Sequence, residues 1–180
     1  MALAQLWGVR PAWPQAESPA AQALAAQARS LLAEGRTEEA IARYREAVGL
    51  APGEALLWIE LGEAQRTAGE MPEAIAAFGK GLELSPNYEL AQLGLAECYR
   101  QLGNFDEARA LLRGAAEAHP KSPAPLAALG RIHLELQKHD EAEAPLLAAL
   151  RLDPQNTAAR VFLASVHMAR AENDVALEEL

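Results

Sequence analysis

Aromatic residues are scarce in this chain, making up only 5% of its 180 residues, although 51% of the residues are hydrophobic. Much of the apolar share is alanine, a strong helix former and a weak core-filler, so the composition favours helices packed closely through small side chains over sheets. Cysteine is nearly absent. The single Cys98 excludes an intrachain disulfide and a cysteine-rich zinc cluster, and one free thiol is compatible with any compartment. Basic residues are in deficit, 16 Lys and Arg against 25 Asp and Glu, for a formal charge of −9. Such a chain repels a phosphate backbone, so nucleic acid is set aside as a partner. No apolar run approaches the roughly 18 to 20 residues that span a bilayer, so a soluble chain without a membrane partner is expected. Ala2-Leu3-Ala4 before Gln5 resembles the end of a signal peptide, yet no charged region or apolar stretch precedes it. A trimmed export signal stays open; the compartment is undecided, with the cytoplasm slightly favoured over the periplasm.

What the sequence does contain is a repeat. Pro52, Pro86, Pro120 and Pro154 are spaced 34 residues apart, since 86 − 52, 120 − 86 and 154 − 120 all equal 34. Ala40, Ala74, Ala108, Ala142 and Ala176 keep the same phase, as do Tyr44, Phe78, Leu112, Leu146 and Leu180. Within each unit two amphipathic patterns alternate at helical spacing, for example Leu57, Leu61, Ala64 and Ala68, then Ala74, Ile75, Phe78 and Leu82. Each unit therefore reads as a helical hairpin, its tight turn marked by Gly35, Gly69 or Gly103 and its second helix stopped by a proline. Asn104, three residues before Glu107, suggests a capping box, and Ser122 stands before Pro123 at an expected first helical position. The predicted helices are 21–34, 37–50, 55–68, 71–84, 89–102, 105–118, 123–136, 139–152, 157–170 and 173–180. The expected division is a non-repeat arm over 1–20 and repeats over 21–54, 55–88, 89–122, 123–156 and, in part, 157–180.

These residues resemble the tetratricopeptide repeat, whose 34-residue unit has a Trp-x-x-Leu-Gly opening, an Ala-x-x-x-Phe middle and a closing proline. The second unit carries Trp58, Leu61, Gly62, Ala74, Phe78 and Pro86; the third and fourth carry most of the set, and the first is degenerate in its opening helix. The resemblance implies an all-α, right-handed superhelical solenoid of helix-turn-helix hairpins, with the first helix of each pair lining a concave face. It also implies a protein-binding role without naming the ligand. Two departures stand out. Pro145 falls inside a predicted helix, where a kink is expected because it removes the bond to the Glu141 carbonyl. The fifth unit stops partway through its second helix at Leu180, which suggests a piece of a longer protein or pairing through that end.

If first helices stack, the residues facing the groove are those two, five, nine and twelve places into each unit. Among them Leu56, Ile59, Leu90, Leu93, Ala124, Ala127 and Val161 form an apolar strip, flanked by the charged residues Glu63, Arg66, Glu97, Arg100 and Arg131. This pattern fits an apolar or amphipathic peptide segment, with burial supplying affinity and charge supplying orientation. The bland alternative is that the leucines only contact neighbouring helices. The lysine and asparagine clamp with which some relatives hold a chaperone's C-terminal carboxylate is absent, its places being taken by Ala25, Ile59, Leu93 and Ala127 and by Arg29, Glu63, Glu97 and Arg131. The N-terminal stretch, with Leu3, Leu6, Trp7, Val9 and Trp13 among Pro11, Pro14 and Pro19, falls outside the repeat and reads as an arm that lies in a groove, packs on unit one or stays unpacked.

No enzyme is indicated. Of His119, His133, His139 and His167, only His133 and His167 are expected near each other, too few for a metal site, and they occupy the tyrosine place of the repeat. Cys98 lacks a histidine in neighbouring turns, the paired acids sit in first turns or on solvated faces, and every glycine is at a turn or a helix contact rather than in a phosphate loop. No cofactor and no metal are expected. The sequence thus reads as a scaffold or adaptor for a protein partner. The alternative is a spacer or self-association module of a larger multi-repeat protein, homodimeric through the arm or the C-terminal repeat face.

Overall fold

A computed structural model describes residues 18–170. Among them are nine helices and no strands: α1 (Pro19–Ala33), α2 (Thr37–Leu50), α3 (Ala55–Ala68), α4 (Met71–Leu84), α5 (Glu89–Gln101), α6 (Phe105–Ala118), α7 (Ala124–Glu135), α8 (His139–Leu152) and α9 (Thr157–Ala169). Each boundary lies within two residues of its sequence expectation. The helix expected at 173–180, with Ala176 and Leu180, and almost all of the arm lie outside the described residues.

The two kinds of turn differ in their backbone, and the difference follows from their residues. Inside each hairpin the chain reverses through a left-handed residue: Gly35 (φ 76°), Gly69 (φ 82°), Gly103 (φ 77°) and, in the fourth unit, Gln137 (φ 60°). The next N–H then bonds back to a carbonyl five residues earlier: Arg36 to Leu31, Glu70 to Gln65, Asn104 to Tyr99 and Lys138 to His133, at 2.8–2.9 Å. This closure leaves the residue before the second helix with ψ near 63–66°, as in Arg36, Glu70, Asn104 and Lys138. Asn104 consequently makes no side-chain cap bond, and the capping box expected with Glu107 does not form. The residue before a first helix is instead extended at Ser18, Glu54, Tyr88 and Asn156, with ψ of 96–108°, and helical only at Pro123; Ser18 and Asn156 cap with their side chains, accepting from Ala21 and Ala159. α7 begins at Ala124, one place later than expected, with Pro123 just before it; the Ser122 hydroxyl still accepts from the Ala124 N–H and donates to Glu89 of α5.

A side chain four places into the next unit ties down the proline turn. Trp58 Nε1 donates to the Pro52 carbonyl at 2.9 Å, Gln92 Nε2 to Pro86 at 3.1 Å and Arg160 Nε to Pro154 at 3.0 Å. Three different donors satisfy one orphan carbonyl, whereas Leu126, in the same register, has no polar group to offer and packs against the core instead.

The in-phase residues form the core. Ala40, Ala74, Ala108 and Ala142 are fully buried, as are Tyr44, Phe78, Leu112 and Leu146 within 1%. Small residues let the helices of a hairpin approach closely: a Cβ added to Gly130 would lie 2.4 Å from the Leu146 side chain, and one added to Gly62 would lie 3.0 Å from the Phe78 ring. Each helix packs on its neighbours in sequence, and α3, α5, α7 and α9 also touch in series. Contacts of that extent are absent among the second helices of the described hairpins, so the first helices form the inner side of a curved stack. Pro145 lies inside α8, which continues unbroken to Leu152 while the adjacent Leu146 remains buried.

Candidate peptide-binding hollow on the inner face

The inner face is built by α3, α5 and α7. Between them lies a hollow of about 640 Å³, lined by Ile59, Glu63, Arg66, Phe78, Leu90, Leu93, Gly94, Glu97 and Arg131. Seven of the groove residues expected from the repeat register therefore converge on one space. Leu90 is the most open of its apolar residues, 66% exposed, while Ile59 is nearly buried against Gly81 and forms part of the floor. Leu56, 45% exposed, belongs to a separate hollow with Gln22, Ala25, Arg29 and Glu54 at the α1–α3 edge. Ala127 is buried in the core shared by α7, α8 and α9, and Val161 stands exposed on α9, away from this hollow.

Phe78 and Gly94 were not among the expected lining residues. Phe78 comes from α4 and reads in sequence as a core residue of the second helix. Its ring lies between Gly62 and Gly94; a Cβ on Gly94 would stand only 2.4 Å from the ring's Cζ, so the glycine is what admits the ring tip between α3 and α5. The available signal was Gly94 itself, a mid-helix glycine whose counterparts at 34-residue spacing are Glu60, Ala128 and Phe162.

The rim charges bind one another. Glu97 accepts from Arg100 at 2.6 and 2.8 Å and from Arg131 at 3.2 Å. Arg131 and Arg100 both reach Glu135, at 3.1 and 2.9 Å, closing a ring of two acids and two arginines across α5 and α7. Glu135 has no place in the groove register and is found only through this ring. Burial pushes the Glu97 carboxyl upward, but the hydrogen bonds from Arg100 and Gln101 and the charges of both arginines outweigh it and hold the group down at about 2. Glu63 pairs with Arg66 at 2.5 and 3.0 Å. Counted over Glu63, Arg66, Glu97, Arg100, Arg131 and Glu135, the formal charge cancels, and the hollow carries no net attraction for an ion of either sign.

Groups with reactive chemistry lie elsewhere or are muted. Burial raises the Cys98 thiol to about 11, against a smaller opposing effect of Arg66. His133 and His167 are both buried; burial lowers the His133 value, and its Nδ1 lies 3.3 Å from Glu141. Among the described residues no group of three or more His, Cys, Asp and Glu side chains is arranged to hold a metal ion. No helix of the described residues is long and apolar enough to cross a membrane.

Two tetratricopeptide repeat profiles match the sequence, one over residues 25–89 and 127–180, the other over 66–132 and 101–148. The chain belongs to the tetratricopeptide repeat family. Members of the family are generally non-catalytic scaffolds for protein interaction, and both the helix order and the solenoid found here are those of the family. Among solved structures the chain is similar to MamA from Desulfovibrio magneticus RS-1, at 20% identity and a TM-score of 0.77, covering 91% of this chain and 93% of that one. It is also similar to a thermophilic tetratricopeptide repeat protein of Thermus thermophilus, TTC0263, at 23% identity, a TM-score of 0.72 and coverages of 89% and 88%. A third likeness is to pilF of Pseudomonas aeruginosa, at 20% identity, a TM-score of 0.78 and coverages of 89% and 73%. At these identities the likeness is one of fold. No curated relative matches the sequence significantly.

Proposed function

We propose that this tetratricopeptide repeat protein is a non-enzymatic scaffold that holds an apolar or amphipathic segment of a partner polypeptide along its inner face. The array over residues 21–180 is the binding body, and one bulky apolar side chain of the partner seats between α3 and α5. The observation that carries this reading is the hollow itself, apolar at Ile59, Phe78, Leu90 and Leu93 and bordered by charges already paired with one another. Covering a Leu- or Phe-sized side chain there would contribute about 1.5–3 kcal/mol. An acidic tail would have to break the Arg100 and Arg131 pairs to find a counter-charge, so charge gives it no advantage. Pull-down from the source cell, followed by isothermal titration of the segment recovered, tests the reading. Leu90→Glu with Leu93→Glu should weaken binding by more than tenfold; an affinity left unchanged would show that the segment binds elsewhere.

A second reading, self-association within a larger repeat assembly, is favoured by Val161 and Met168, which are exposed on one face of α9. Light scattering distinguishes it: a monomer at all concentrations, unaltered by Val161→Glu, would exclude pairing through α9.

A further inference from the structure

The first described residue is held where the inner face begins. The Ser18 N–H reaches Glu54 Oε1 at 3.4 Å, and Glu54 stands at the start of α3 and borders the hollow that contains Leu56. Residues 1–17 therefore join the solenoid at the α1–α3 edge, beside the hollow of the exposed Leu56, and the exposed Leu90 stands further along the inner face on α5.

We infer that residues 1–17 are the intramolecular occupant of this inner face, with Trp13 over the Leu56 hollow and Leu6 and Trp7 over the hollow of Leu90. Three observations agree on this occupant. The first is reach. Trp13 is five residues from Ser18 and Trp7 eleven, spans of at most about 17 and 37 Å in extended chain, whereas packed helices are about 8–10 Å apart. The second is charge. Arg10 and Glu17 are the only charged side chains of the segment and cancel each other, matching a hollow whose own charges cancel. The third is chemistry. Leu3, Leu6, Trp7, Val9 and Trp13 supply large apolar groups, while Pro11 and Pro14 favour extended backbone that can lie along a groove without losing helix bonds. The tether raises the local concentration of this segment far above that of a free ligand, so a partner must displace it. The inference rests on the inner face being an apolar docking surface and adds that the chain regulates its own access to it.

The test uses the full-length chain carrying Trp58→Phe, so that fluorescence reports Trp7 and Trp13 alone. Docking predicts blue-shifted emission and severalfold weaker acrylamide quenching than in the same chain with Leu56→Glu and Leu90→Glu. A synthetic peptide of residues 1–17 should in turn bind the full chain bearing Trp7→Ser and Trp13→Ser, and lose that binding with Leu90→Glu. Water-like emission in both chains overturns the inference, and so does shielding that survives the two glutamates. Shielding that disappears on dilution together with a dimeric mass also overturns it, because the segment then belongs to a second copy's groove. Failure of the partner reading looks different: the recovered partner segment would fail to bind the Trp7→Ser, Trp13→Ser chain even though the residue 1–17 peptide binds it.

Discussion

Gln137 occupies the position that glycine holds in the three preceding hairpins and takes the same left-handed conformation, with φ of 60°. An L-residue pays about 1–2 kcal/mol there that glycine does not. Part of that is recovered because glycine loses more freedom on folding. Gln137→Gly should therefore stabilise the protein by about 0.5–1 kcal/mol and raise its thermal midpoint in calorimetry, while Gly69→Ala should lower it; a fall on Gln137→Gly would mean that the side chain makes a compensating contact. Cys98 presents the opposite case, a reactive group made inert by its surroundings. With its thiol pushed to about 11 by burial, it should resist iodoacetamide at pH 8 in the native state and react readily in urea, as mass spectrometry would register.

Between elements, the ring of Glu97, Arg100, Glu135 and Arg131 joins α5 to α7 by bonds that cross from one hairpin to the next. Glu97 lies well below its ordinary value of 4.5, at about 2, so its contribution to stability is complete above 4.5 and disappears as the pH falls towards 2. The stability gap between the wild type and Glu97→Gln should accordingly be largest near neutral pH and close between pH 4.5 and 2 in urea titrations. A gap independent of pH would mean that the ring adds nothing beyond side-chain packing. Since these side chains are a fifth to a third exposed, the neutral-pH gap should be modest, about 1 kcal/mol.

Over the whole molecule, stability is assembled from neighbour to neighbour. The buried residues fall into separate clusters, one around α1 to α3 and another around α7 to α9, joined through the clusters of the middle hairpins. Damage should therefore stay local. Leu146→Ala, which removes a fully buried side chain at a cost of about 2–5 kcal/mol, should speed hydrogen exchange in α7 to α9 more than in α1 to α3. Uniform acceleration along the chain would instead show a single cooperative unit. The His133 imidazole adds a pH dependence of the opposite origin from the ring: burial lowers its value, so the unfolded chain takes up a proton first and stability declines as the pH drops below 6.5.

The fold was legible because its causes are local. A 34-residue period, helical spacing of apolar residues, glycines able to take positive φ and prolines that end helices all act within one hairpin, and the helix limits followed from them to within two residues. Which side chains share a space was decided by the tertiary structure. Leu56 and Leu90 occupy equivalent places in the repeat yet border different hollows, because Gly94 admits the Phe78 ring at one place and not at the other. Glu135 falls outside the groove register but completes the ring, since arginine side chains reach across helices where sequence spacing is no guide. Asn104 has the composition of a cap without the geometry of one, its ψ having been set by the hydrogen bond that closes the preceding turn. The sequence by itself determined the helices, their order and their buried faces, because those depend on neighbours along the chain. The shape and charge of the inner face depend on distances between helices and on side-chain conformations, and only the packed solenoid settles those.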